Sequence, residues 1–596
     1  MEQLTGLDAA FLALDTPRTT GHVGSIQVVE ALDAAGERLT LDRLTAVVGD
    51  RLHLVPPMRR KIVEVPLGLG QPFWIEDADF DLEFHVRELA LPTPGSMHQL
   101  TEQVARIHSR TLDRSRPLWE IYLIHGLEGD RAAIYSKVHH AMIDGVGGQE
   151  IAAALLDLSP QGREIPPAPP WDPDPAPGSL MLLAKAAASL AAVPTTAGRF
   201  AADVARSAPA LLSIALPRLP GVDLVSSVAH RIAEEASGSG LGAVLPGGLG
   251  IGDGGLLEHV PGRAPATPFN RNVSAHRRIA LRSVPLDVVK AVKSAAGMTV
   301  NDVVLAMCAG ALRRWLSTHD ALPDDPLVAA VPVSVRTSAA QGAKSGDGTF
   351  GNRVSLMLAV LPTDEPDPLT RMRVAHEATS VAKYQHDALS ANLLADAYQF
   401  TMPALMGLTM RANARLRVLE RASLFNLFVS NVPGPSVPLY LGGHRLLASY
   451  PVSAIADGQG LNITVLSYLG DLHFGLTADR ELVPDLDVLA GYLAEELEEL
   501  ARATGVTGAV ARSVGEAEGT RGATRRPARA RATSTGGADG APRKRTAVRV
   551  SKKSSVTAAA PSEPQPAAPP PTAPEPDAAP PPRKRPPRAA VRRTPR

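Results

Sequence analysis

Tyr492 is the last aromatic residue in a chain of 596, and this limits where a core can be built. From about Gly505 onward the residues are mainly Ala, Pro, Arg, Thr and Gly, which bury too little apolar surface to offset the entropy of ordering. A disordered tail over 504–596 is therefore expected, and the fold must come from what precedes it. At about 100–200 residues per domain, that portion holds two or more folded units. Charge divides the same way. The formal net charge is zero, but residues 521–596 carry 18 Lys and Arg against 4 Asp and Glu. The other 520 residues have 43 basic and 57 acidic side chains, an acidic body joined to a basic tail.

Cys308 is the single cysteine, which excludes an intramolecular disulfide and a cysteine-ligated zinc site. It lies in an apolar helical run, where a buried small hydrophobe is expected. The opening MEQLTGLDAAFLALD has acids early and no basic stretch, unlike a secretory signal. No window of about 20 residues reads as a bilayer span. The best candidate, Ser179 to Val193, is short and interrupted by Lys185. A soluble or peripheral protein of the cytoplasm is expected.

The patterning gives an α+β class. In residues 1–160, Gly21–Glu30, Glu120–His125 and Arg131–His139 read as strands, and Thr101–Arg110 and Val146–Leu158 as helices. Residues 161–264 form a connector. It opens on PPAPPWDPDPAPG, continues in Ala/Leu-rich helical stretches near 179–193 and 198–216, and includes a Gly-rich segment at 237–255. A second α+β unit covers 265–503, with helices at Leu286–Ala296 and Asn301–Leu316 and strands at Leu327–Val335, Asn352–Leu361 and Leu424–Asn431. A hairpin turns at Gly470-Asp471. In the closing helix, Leu486, Leu489, Leu493, Leu497 and Leu500 form one apolar stripe.

The stretch KVHHAMIDGVGG, residues 137–148, carries the chemistry. Neighbouring residues leaving a strand point to opposite sides, so one of His139 and His140 should face a cavity while the other packs inward. Two such histidines converge poorly on one ion, and no third ligand is evident nearby, so no metal is expected. The plain alternative is one core histidine, one surface histidine and Asp144 capping the next helix. The full pattern H-H-x-x-x-D-G favours chemistry instead: histidine supplies a base near neutral pH, and a carboxylate and glycine a few residues on can organise the loop.

HHAMIDG resembles the HHxxxDG motif of the coenzyme A-dependent acyltransferase superfamily, which includes chloramphenicol acetyltransferases and peptide-synthetase condensation domains. Within it the chain resembles the bacterial wax ester synthase/diacylglycerol acyltransferase family. The matching segments, in order, are LTGLDAAFL, HVG at 22–24, RPLWE at 116–120, PFN at 268–270, VNDVVLA at 300–306, PVSVR at 332–336, GNRVS at 351–355 and SNVPGP at 430–435. The likeness covers roughly residues 1–503, loosely in the connector and not in the tail.

The resemblance implies two chloramphenicol-acetyltransferase-like domains with an active-site tunnel between them. It makes His140 the general base, His139 and Asp144 orienting residues, and Gly145 the residue that permits the turn. Acyl-CoA would be the co-substrate, with no cofactor, and diacylglycerol or a long-chain alcohol the acceptor. Pro117, Leu118 and Trp119 are either strand-entry packing or acyl-channel wall. Asn301 and Asp302 sit at a helix start, where Asn is an ordinary N-cap, or shape the site across the domain interface. Asn352, Ser430 and Asn431 are either turn formers or groups that bind CoA or the oxyanion. Two departures, Gly21 for a common Met and Ala13 for a common aromatic, weaken any inference about the acceptor.

Two further readings stay open: another hydroxyl acceptor such as a polyketide or sugar, and a non-catalytic scaffold on lipid droplets or the nucleoid. The tail is either a solubilising extension, an electrostatic tether to anionic membrane or lipid-droplet surfaces, or a nucleic-acid contact without aromatic residues to stack on bases. Oligomeric state is not legible.

Overall fold

The computed structural model describes residues 1–13, 15–66, 70–142, 145–173, 175–191, 264–334, 354–388 and 424–506. The expected helix near 198–216, the Gly-rich 237–255 segment and the basic tail lie outside the described residues, as do Asp144 and Asn352.

In chain order the first half has β1 (Glu2–Gln3), α1 (Gly6–Ala13), β2 (His22–Glu30), α2 (Leu41–Arg51), β3 (Arg60–Val63), β4 (Phe73–Glu76), α3 (Leu82–His85) and β5 (Val86–Ala90). It continues with α4 (Met97–His108), β6 (Trp119–Leu127), β7 (Arg131–His139), α5 (Gly145–Leu155) and α6 (Ser179–Ala191). The second half has β8 (Arg277–Pro285), α7 (Leu286–Ala296), α8 (Val300–Thr318), β9 (Leu327–Ser334), β10 (Val354–Leu361) and α9 (Pro368–Ala388). It ends with β11 (Leu427–Val432), β12 (Tyr440–Leu441), β13 (His444–Val452), β14 (Leu461–Tyr468), β15 (Asp471–Asp479) and α10 (Leu486–Ala503).

Among the described residues, two six-stranded sheets carry the fold. One runs β10-β9-β11-β14-β15-β8, with parallel pairing at β9–β11 and β11–β14. The other runs β12-β13-β2-β7-β6-β5, so two strands from the second half complete the sheet of the first. β13 pairs antiparallel with β2, setting Tyr450 opposite Ile26 and Val452 opposite Gly24. Gly24 is required where β2 passes β7, on its other side. A Cβ there would stand 2.3 Å from the Ser136 carbonyl oxygen.

Period-2 and period-3.6 patterning explains most elements. In α10, Leu486, Leu489, Leu493, Leu497 and Leu500 are all buried. They pack on α8, which is buried without a break from Asp302 to Leu312 and contributes to the second core. Cys308 sits there fully buried, its thiol pushed up to about 12 by desolvation. No single described helix is long and apolar enough to cross a membrane. Helix α4 starts with a capping box in which Ser96 and Gln99 exchange hydrogen bonds.

Helix α8 corrects one sequence expectation. Its N-cap is Thr299, whose hydroxyl accepts from the Asp302 N–H while the Asp302 carboxylate accepts from the Thr299 N–H at 2.9 Å. Asn301 is therefore the second helical residue and not the cap.

Candidate active site

β7 delivers both motif histidines, and β2 beside it sets His22 directly opposite His139. Pleating then separates the histidine pair as alternation requires. His139 is 1% exposed and packs inward, while His140, the first residue after the strand, is half-buried. The His140 N–H donates to the Gly21 carbonyl at 2.8 Å, and the His139 N–H donates to the Leu118 carbonyl at 2.9 Å. The turn after β7 is thus held on both sides by main chain.

The His139 ring has a determined tautomer. Its Nδ1 accepts the Ala141 N–H at 3.1 Å, so the ring hydrogen resides on Nε2. That atom faces the Asp15 carboxylate at 3.2 Å. Asp15 also accepts the Gly21 N–H at 2.7 Å and the Arg114 guanidinium at 3.3 Å. Burial raises the carboxyl of Asp15, but the hydrogen bonds from His139 and from the Gly21 N–H outweigh it, holding the group well below the usual range. Phe11, at the end of α1, stacks on the His140 imidazole. Phe11, Asp15 and Gly21 therefore each contact the histidine turn. Gly21 is tight: a Cβ would stand 3.0 Å from His139 Nε2 and 3.1 Å from the Phe11 carbonyl oxygen.

Behind His139 the same face of the sheet is polar and sealed. Lys137 is fully buried and donates to the Ile107 carbonyl at 3.1 Å and to the Arg110 carbonyl. Burial brings its ammonium down to about 8, opposed by Glu120. His108 bonds the Tyr135 hydroxyl at 2.7 Å, and desolvation, with Lys137 and Arg277 nearby, lowers it to about 3. His22 is likewise held well below its ordinary value by burial and by Lys137.

Asp15, His22 and His139 place one carboxylate and two imidazoles within 4.8 Å of one another, a set that could in composition hold a metal ion. Their hydrogen bonds do not fit that role. The His139 Nε2 carries the hydrogen given to Asp15, and His22 Nε2 faces the Leu112 N–H at 3.4 Å. The lone pairs are turned to backbone donors, and the buried Lys137 ammonium adds positive charge alongside.

The remaining sequence candidates divide. Leu118 joins the site through its carbonyl. Pro117, Leu118 and Trp119 are buried, and the Trp119 indole donates to the Met58 carbonyl at 2.7 Å while stacking on His85, which is core packing. Asp302 is committed to its cap and to His376 at 2.8 Å. Asn301 lies beside it on α8, half-buried. Ser430 and Asn431 are half-buried near the end of β11, opposite Thr464 and Val465. Gly145 opens α5. Sequence reasoning missed Phe11, Asp15 and Arg114. No sequence signal pointed to them: it is the pairing of HVG beside VHH in the folded sheet that brings Asp15 and Gly21 onto the histidine turn.

The model of the wax ester synthase/diacylglycerol acyltransferase catalytic domain matches residues 4–239 and 255–304, and that of the WS/DGAT C-terminal domain matches 350–501. A Mycobacterium tuberculosis protein named as a diacylglycerol O-acyltransferase is 36% identical over 514 residues, 84% of this chain and 100% of the relative. The O-acyltransferase WSD of Acinetobacter baylyi is 32% identical over 508 residues, covering 84% of this chain and 96% of its own. Among solved structures, the wax ester synthase/diacylglycerol acyltransferase from Marinobacter aquaeolei matches with a TM-score of 0.58 at 29% identity, covering 85% of this chain and 100% of that one. With the histidine turn intact and both halves matched, the chain belongs to the wax ester synthase/diacylglycerol acyltransferase family.

Proposed function

We propose that this protein transfers a fatty acyl group from acyl-CoA to the hydroxyl of diacylglycerol, or of a long-chain alcohol, with His140 as general base. The supporting observation is the division of labour at the turn: His139 is sealed and tied, and His140 is half-buried with its main chain fixed. The acceptor oxygen attacks the thioester carbon as its proton passes to His140. The tetrahedral oxyanion then collapses, the carbon–sulfur bond breaks, and the thiolate takes the proton from His140. We assign Ser430 and Asn431 to substrate contact, since they are the polar side chains at the end of β11.

Purified protein given labelled palmitoyl-CoA and either diolein or hexadecanol tests this reading. His140→Ala should reduce ester formation by about 10²–10⁴-fold, the usual share of general base catalysis. Undiminished ester formation in that variant would remove His140 as the base, whereas no ester from the wild-type protein would leave the scaffold reading.

Lipid acceptors give a reason for peripheral attachment, and α6 supplies a surface. Leu182 and Ala186 bury one face of this helix against Val65 and Phe73, while Leu180 is 86% and Met181 54% exposed. Such a face suits the boundary of a lipid surface. Flotation with anionic vesicles should weaken in Leu180→Ser/Met181→Ser. Unchanged flotation would remove α6 from the contact.

A further inference from the structure

Asp15 is tied to the main chain on both sides of His140. Through Nε2 of His139 at 3.2 Å it fixes the ring whose Nδ1 holds the Ala141 N–H. Through its other oxygen it holds the Gly21 N–H at 2.7 Å, and the Gly21 carbonyl holds the N–H of His140 at 2.8 Å. Arg114 anchors the assembly, donating to Asp15 and to the Leu12 carbonyl in the same segment that carries Phe11. A single carboxylate thereby sets the path of residues 139–141 and the seat of Phe11 against the imidazole.

We propose that Asp15 is a positioning residue for the acyl transfer, acting through His139 and Gly21 to aim the His140 ring. It touches neither substrate nor reacting atoms. This rests on the reading of His140 as the base. The role goes to a carboxylate far from the motif in sequence and is separate from whatever Asp144 does.

Asn is the informative substitution. It keeps an oxygen for the Gly21 N–H but turns an amide N–H₂ toward a ring N–H, so donor meets donor. His139 can relieve this only by moving its hydrogen to Nδ1, which then opposes the Ala141 N–H. Misplacement of a reacting group by about 1 Å can cost on the order of 10²-fold in rate.

The test is a double-mutant cycle on the full chain with palmitoyl-CoA and diolein. Asp15→Asn should lower kcat by about 10²-fold while KM for palmitoyl-CoA changes less than about threefold, because aim and not binding is lost. In a His139→Asn background the same substitution should cost less than about threefold, since its route to His140 is already cut. Thermal melting of each variant reports folding. Should Asp15→Asn unfold, Asp15→Glu keeps the charge and displaces it by one methylene; a drop in kcat at unchanged KM supports the proposal equally. Full kcat in a folded Asp15 variant, or additive losses in the cycle, overturns it. Those outcomes leave the base itself intact so long as His140→Ala is inactive; an active His140→Ala removes the base reading first.

Discussion

The ring of Phe11 lies 4.2 Å from the imidazole of His140, centroid to centroid, with the two planes 13° apart. A parallel neighbour at that distance fixes the plane of the imidazole, and its π face favours the protonated ring that forms during transfer. Stacked aromatic pairs are worth about 0.5–1.5 kcal/mol beyond burial, or roughly 2–10-fold in rate. Phe11→Leu should therefore lower kcat by about that factor. It should also move the acid limb of the kcat/KM pH profile to lower pH, because the imidazolium loses its partner. A pH profile that coincides with the wild type would assign Phe11 to packing alone.

The sealed polar face behind His139 sets the acid stability of the first sheet. Burial, with Lys137 nearby, lowers His22, and the same causes take His108 from 6.5 to about 3. Between those values the unfolded chain binds more protons than the folded one, so stability rises with pH. The contribution of His108 is complete above about 6.5 and is lost as pH falls toward about 3. His108→Gln, which cannot titrate, should flatten the melting temperature against pH across that window. An unchanged slope would place the acid sensitivity elsewhere.

In the second core, Arg371 and Glu496 form an ion pair at 2.6 Å with both side chains almost wholly buried. The pair lies against Gly310 of α8, where a Cβ would stand 1.9 Å from Glu496 Oε2. Burial raises the Glu496 carboxyl although Arg371 opposes it. Removing one partner leaves the other charge uncompensated, which costs about 3–5 kcal/mol. Urea unfolding should show that loss for Glu496→Gln, and a much smaller one for Arg371→Met/Glu496→Leu than the two single losses added together. Gly310→Ala should be as damaging as breaking the pair, since no space exists for its methyl group.

Much of this was legible in advance because it is local. Alternation placed β7 over Arg131–His139, the residues observed, and separated His139 from His140. The leucine stripe located α10, and helix α7 falls on Leu286–Ala296 as read. What is not local was not readable. Asp15 meets His139 across 124 residues of sequence, and no spacing rule joins them. Asp302 read ambiguously because a cap and a site residue look alike in one dimension. Only Thr299 and His376 around its carboxylate separate the two. The addition of β13 to the first sheet was invisible for the same reason, as a strand advertises its faces and not its neighbours.

That addition has a consequence for synthesis. Until residues 444–452 emerge from the ribosome, β2 has an open flank, and the strand that carries His22 presents unsatisfied N–H and C=O groups to any other chain. The nascent first half must wait for roughly 300 further residues before its sheet can close, a delay in which it is prone to sticking and calls for chaperone shelter. A fragment ending ahead of His444 keeps both motif histidines and should collect in the insoluble fraction.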